Sequence, residues 1–243
     1  MRSFKRAPVG NRLLAALPAA EAAETPAGLD TVDLSFGEIL HEPGDAVDHV
    51  YFPHDALVSL LTRVDDHQAI EVGMIGYEGM VGVTLALGLP ISPVRALVQG
   101  PGTAARMKAA DFLRELGHNP VLQHEIYRYS AVLMAQVMQT AACNRFHVVE
   151  ARLARWLLMT RDRVDSNRFR MTHEFLATML GVRRVGVTKA AHELQQRKLI
   201  DYSRGNIEIQ DEEGLEAASC SCYEAVKKIQ TRAAASRKRG GRS

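Results

Sequence analysis

The chain is poor in cysteine, and its three cysteines, Cys143, Cys220 and Cys222, are too few and too oddly spaced for a disulfide framework. That count suits a reducing compartment and places the protein in the cytoplasm. Long apolar runs are also missing. Leu13–Ala23 is interrupted by Pro18 and Glu21, and no stretch reaches the roughly 18 residues that a membrane helix requires. The basic start, residues 1–12, precedes an Ala-rich segment too weak for a signal peptide, and residues 1–30 read as an N-terminal extension, frayed or helical. Internal repeats and low-complexity blocks are absent before the tail at 232–243, whose Arg237-Lys238-Arg239 cluster and glycines read as disordered.

What is present is enough for two compact units. The 243 residues are 47% apolar and 24% charged, which supports buried cores and excludes wholesale disorder. The formal charge of +2 hides an asymmetry. Residues 1–143 carry 10 Lys/Arg against 16 Asp/Glu, a net −6, while residues 144–243 carry 20 against 12, a net +8. The C-terminal half is suited to a polyanion.

Residues 31–108 read as short strands. Val32, Leu34 and Phe36 alternate, Pro43-Gly44-Asp45 marks a turn, Val50-Tyr51-Phe52 stops at Pro53, and 57–64 and 70–75 flank a polar hairpin turn at 65–68. Many short strands imply a sandwich or small barrel. Residues 109–143 read as one long amphipathic helix, with Leu122, Ile126, Tyr129, Leu133 and Val137 as the stripe of a dimer interface. A further helix is predicted over 147–163, with Arg152, Arg155 and Arg161 on its polar side.

Residues 144–215 form the informative domain, and 216–243 a C-terminal extension. Thr172 caps a helix with Glu174 in its first turn and Phe175, Leu176, Met179 and Leu180 on its buried face. Gly181 supplies a turn, and a second helix over 183–197 packs Val187, Ala190, Ala191 and Leu194 inward. Its outer face bears Arg184, Val185, Thr188, Lys189 and His192. Two short helices across a glycine turn, the second basic outside, meet the requirements of a helix-turn-helix. Residues 199–202, Arg204-Gly205-Asn206 and 207–209 then read as a hairpin wing.

Three stretches in this order resemble the Crp/Fnr regulators: residues 34–40 with Pro43-Gly44-Asp45 and 50–52, residues 149–158, and the helix-turn-helix from Thr172 to Ile200. The resemblance implies an α+β chain: an N-terminal jelly-roll-like β-barrel sensor domain, a long dimerisation helix and a C-terminal winged helix-turn-helix. It implies a homodimer on double-stranded DNA at inverted repeats, with RNA polymerase as a further partner and no catalysis. The DNA-binding residues are then Thr172, Arg183, Arg184, Thr188, Lys189, His192 and Arg204, with Arg184 the first choice for a guanine and Arg204 for a phosphate. Val185 stands where the family often carries an acidic residue, so the half-site should differ from the family's best-known one.

The family's cyclic-nucleotide site pairs a Gly-Glu step with a later Arg followed by Ser or Thr. Here Glu78 fits the ribose role, but Arg95 is followed by Ala96 and the phosphate cradle is broken, which argues against cyclic AMP. An iron–sulfur cluster needs about four thiolates, and Cys143 stands far from Cys220-Ser221-Cys222, so no cofactor is assigned and the C-x-C pair reads as incidental. His41, His49, His54 and His67 match no metal signature. Two other readings stand beside the regulator. A cupin-like metal enzyme would need a His-x-His pair with later Glu and His, which is missing, and a protein-binding scaffold is disfavoured by the +8 half. A regulator that works without a ligand is a variant of the favoured reading.

Overall fold

The structure, a computed structural model, describes residues 10–16, 28–64, 69–164 and 166–240, with side chains to residue 235. Most of the N-terminal extension, the hairpin turn at 65–68 including His67, and residues 241–243 lie outside the described residues. The chain forms two compact units, Met1–Thr62 with Met74–Ala131 and Arg63–Gly73 with Val132–Ser243.

The N-terminal half carries seven strands: β1 (Asp30–Leu34), β2 (Ile39–His41), β3 (His49–Pro53), β4 (Leu57–Arg63), β5 (Ala69–Ile75), β6 (Arg95–Gly100) and β7 (Gly102–Lys108), of which Arg63 and most of β5, Ala69–Gly73, belong to the second unit. They make two open antiparallel sheets, β1-β7-β3 and β2-β6-β4-β5, rather than the closed barrel anticipated. The chain changes sheet between β6 and β7 at Pro101, a residue with no N–H to continue a ladder. Gly102 follows because a Cβ there would lie 2.7 Å from the Ala56 nitrogen. Val50, Phe52, Leu57, Val58, Val98 and Ala104 from both sheets are essentially inaccessible and form the core.

The long helix anticipated over 109–143 is two helices, α1 (Ala109–His118) and α2 (Pro120–Phe146). Pro120 forces the break, since the residue before proline is driven out of the helical region and Asn119 sits at φ −114°, ψ 92°. Asn119 then caps α2, its Oδ1 accepting from the Leu122 N–H at 2.9 Å, with Pro120 in the first turn where it has no bond to lose.

The second unit contains the end of α2, then α3 (Val149–Val164), β8 (Arg168–Arg170), α4 (His173–Leu180), α5 (Arg184–Gln196), β9 (Ile200–Ser203), β10 (Asn206–Ile209), α6 (Glu212–Ala218) and α7 (Cys222–Gly240). Two expectations are corrected here. Arg152 and Arg155 are 6% and 5% exposed, not solvated on a polar face; Arg152 donates from its guanidinium to the Leu180 carbonyl and so closes the C-terminal end of α4. The tail expected to be disordered continues α7 to Gly240. Ala-rich sequence with an i,i+4 Glu224–Lys228 pair at 3.4 Å favours that helix.

Candidate nucleic-acid interface

Thr172 begins α4 in extended conformation and its Oγ1 accepts from the Phe175 N–H at 3.1 Å, satisfying one of the helix's free amides. Gly181 ends it at φ 59°, ψ 44°, returning its N–H to the last carbonyls of the helix. The chain reverses there, and α5 lays Val187, Ala190, Ala191 and Leu194 against Leu176, Ala177, Met179 and Leu180, all buried. Burial of these eight side chains fixes the rotation of α5 about its axis. Arg183, Arg184, Thr188, Lys189 and His192 are all turned to solvent as a result.

Residues 168–170 and 200–209 build the wing. It has three strands, β8-β10-β9, of which β8 was not legible because three residues carry no measurable alternation. The hairpin closes Ser203 on Asn206 across two residues, Arg204 and Gly205, at φ 51° and 81°. Positive φ at both centres is the type I′ turn, which matches the twist of the strands but is normally filled by Asn, Asp or Gly. An exposed arginine in the left-handed region is a strained choice, and it stands at the tip of the wing.

The recognition helix and the wing are tied together by residues that sequence reasoning passed over. His173 stacks on Tyr202 with ring centroids 4.3 Å apart and an 11° interplanar angle, and its Nδ1 is 3.0 Å from Thr188 Oγ1. Tyr202 donates its hydroxyl to the Met171 carbonyl at 3.3 Å. Burial, and then the positive charge of Arg184, hold His173 below the usual imidazole range, while burial raises the Tyr202 phenol. A neutral stacked imidazole thus holds Thr188 on α5 against the wing. Thr188 also donates to the Arg184 carbonyl or shares its proton with His173, so its hydroxyl is already engaged.

Other exposed arginines near this face are neutralised, Arg197 by Glu150 at 2.8 Å and Arg168 by Glu208 at 2.9 Å. Arg183, Arg184, Lys189 and Arg204 are exposed and make no ion pair with any described residue, and the same holds for Arg170 at the end of β8, which sequence reasoning did not single out. Uncompensated charge on one helix face and the adjoining wing is what a phosphate backbone would neutralise.

The residues named for other roles are placed differently. Arg95 grips Glu42 with both Nε and a terminal nitrogen, at 2.9 and 2.8 Å, and Glu78 accepts from the Gly76 N–H at 3.3 Å. On α2, Leu122, Ile126, Tyr129 and Leu133 are at most 9% exposed within one chain, Val137 is half-buried, and Tyr129 donates to the Met80 carbonyl at 3.2 Å. That stripe is occupied by the chain's own packing. Among the apolar side chains left open on α2, Tyr127, Met134 and Met138 fall in line with exposed Ala131 and Ala141 at alternating steps of four and three. The cysteines read as separate are brought together: Cys143 lies 3.4 Å from Cys220, and Cys222 lies 3.5 Å from His147 Nδ1. Their hydrogen bond draws the Cys220 thiol below its usual range and raises Cys143.

The Crp-like helix-turn-helix domain family matches residues 151–218. No curated protein matches the chain in sequence. Among solved structures, a putative Crp/Fnr-family transcriptional regulator from Eubacterium rectale aligns over 85% of this chain and 97% of its own, at 19% identity and a TM-score of 0.67. A CRP-family transcriptional regulator from Thermus thermophilus aligns over 77% and 96%, at 20% identity and 0.66. The c-di-GMP-responsive global regulator of Xanthomonas campestris aligns over 79% and 99%, at 16% identity and 0.65. Residues 151–218 are therefore a Crp-like helix-turn-helix domain, carried on a chain with the fold of the Crp/Fnr transcriptional regulators.

Proposed function

We propose that the protein is a homodimeric, sequence-specific DNA-binding transcription regulator of the cytoplasm, which presents α5 to the major groove and the β9–β10 turn to the backbone. The observation that carries this reading is the row of exposed, unneutralised cations, Arg183, Arg184 and Lys189 on α5 with Arg204 on the wing. Arg184 reads a guanine, since its guanidinium fork matches the O6 and N7 acceptors. Arg183, Lys189 and Arg204 hold phosphates, Thr172 adds a hydroxyl contact beside them, Thr188 joins the DNA face only by exchanging its bond to His173 or Arg184 for one to the DNA, and exposed His192 lies one turn beyond Thr188. The open ridge of Tyr127, Ala131, Met134, Met138 and Ala141 forms the dimer seam, because a four-three spacing is what two parallel helices interlock. RNA polymerase is the partner that would carry the signal onward.

The β-roll senses a ligand other than cyclic AMP. With the Nε edge of its guanidinium bidentate on Glu42, Arg95 is already charge-paired and would have to leave that carboxylate to serve a cyclic phosphate, and Ala96 brings no hydroxyl.

Selection of bound duplexes from a random library tests the reading, and should return inverted repeats with half-site centres about one helical turn apart. Arg184→Ala should cost about 1–3 kcal/mol per half-site and relax preference at one position only. A wild-type protein that binds no DNA at low salt would sink the proposal.

A further inference from the structure

The second unit holds a cluster that DNA binding does not use. Cys143 and His147 lie one turn apart at the end of α2, where the His147 N–H still bonds the Cys143 carbonyl at 3.1 Å. Cys220 and Cys222 flank Ser221 in the turn that starts α7, where the Tyr223 N–H bonds the Cys220 carbonyl at 3.0 Å. The four ligating atoms, three sulfurs and one imidazole nitrogen, all lie within 4.8 Å of one another. The three cysteines are 0%, 6% and 1% exposed.

We propose that Cys143, His147, Cys220 and Cys222 form a structural Cys3His site for a zinc-class divalent ion, which staples the end of α2 to the α6–α7 junction behind the helix-turn-helix.

Donor type, spacing and charge support it separately. Three thiolates and one imidazole are the ligand set of closed, four-coordinate zinc centres, whose bond lengths of about 2.3 Å to sulfur and 2.0–2.1 Å to nitrogen put neighbouring ligands roughly 3.5–3.8 Å apart. The 3.4 Å between Cys143 and Cys220 and the 3.5 Å between Cys222 and His147 are close to those edges. A polynuclear iron–sulfur cluster holds its thiolates further apart than this cage allows.

The charge around the cluster is the independent observation. Arg152 and Arg155 are nine-tenths buried, no described carboxylate pairs with either, and the Nε of each has no hydrogen-bond partner. Arg155 exerts its charge on Cys143 and Cys220, and so does Arg152. Two buried guanidinium groups with no acid are costly. A divalent ion with three thiolates and a neutral imidazole carries a net negative charge and supplies their missing counter-ion. Gln139 completes the surroundings, its Nε2 donating to the Cys222 sulfur at 3.0 Å as an outer hydrogen bond that orients a ligand.

The full chain, reduced and stripped of metal, should take up one Co2+ per chain, with the intense visible bands of a tetrahedral centre and sulfur-to-cobalt charge transfer, and equimolar Zn2+ should bleach both. Cys222→Ser should weaken the charge-transfer band and lower affinity by more than tenfold. Gln139→Ala, which removes no ligand, should keep the tetrahedral spectrum and bind about 10–100-fold more weakly, so the proposal stays testable if the cysteine variant fails to fold. Failure to bind Co2+ stoichiometrically, or a pale octahedral spectrum, would overturn it. So would a protein isolated without metal and short of two thiols that dithiothreitol restores, which would make Cys143 and Cys220 a disulfide pair.

Discussion

Replacing Arg204 by asparagine should make the protein more stable and a weaker DNA binder at once. Arg204 sits at φ 51° beside Gly205 at φ 81°, in a two-residue turn whose strands are paired from Asn206↔Ser203 to Ile209↔Ile200. The left-handed region costs a residue with an ordinary side chain about 1–2 kcal/mol, and asparagine, which bonds its own backbone, avoids much of that. The arginine is exposed and unpaired in the free protein, so no ion pair is lost to offset the gain. A net stabilisation of about 1 kcal/mol follows, which for a domain of this size raises the unfolding temperature by roughly 4 °C. On DNA the balance reverses. One phosphate contact per protomer disappears, which lowers the slope of log affinity against log salt by about 0.9 for each, about 1.8 in a dimer, equally on selected and scrambled duplexes. Calorimetric unfolding and fluorescence anisotropy over a salt series measure the two halves. A variant of unchanged or lower stability would refute the strain argument, and an unchanged salt slope would remove Arg204 from the interface.

Three further outcomes follow from the same structure. Met134→Glu places a charge on the open ridge of α2 without touching the core, so sedimentation at micromolar concentration should show folded monomers; a persistent dimer would move the seam elsewhere. Calorimetry with cyclic AMP and cyclic GMP should find no binding tighter than millimolar while Arg95 is held by Glu42, and a micromolar constant would overturn that reasoning. Burial holds both His41 and His173 below the ordinary 6.5, so the unfolded chain binds more protons and stability should fall as the pH drops below that value. The His41 Nε2–H donates to the His49 carbonyl, 2.9 Å away, and His41→Gln should flatten the acid side of the urea-midpoint profile; an unaltered profile would assign the slope to other groups.

The helix-turn-helix could be read directly because its signals are local. A side-chain cap at Thr172, a glycine able to take φ 59° at position 181 and apolar residues at helical spacing each act within a few residues, and together they fix which face of α5 meets solvent. The alternating strands of the β-roll were legible for the same reason, although their division into two open sheets was not, since pairing β7 with both β1 and β3 depends on chain far away in sequence. On α2 the pattern was ambiguous. Apolar residues occur on both sides of that helix, Leu122, Ile126, Tyr129 and Leu133 on one and Tyr127, Met134 and Met138 on the other, so periodicity established the helix but not which stripe its own chain would cover. Likewise Arg152 and Arg155 looked like a solvated face until α3 was packed on both sides, and the cysteines looked unrelated because Cys143 and Cys220 are 77 residues apart. Contacts over that distance are made by the closing of helices on one another, and only the tertiary structure decides them.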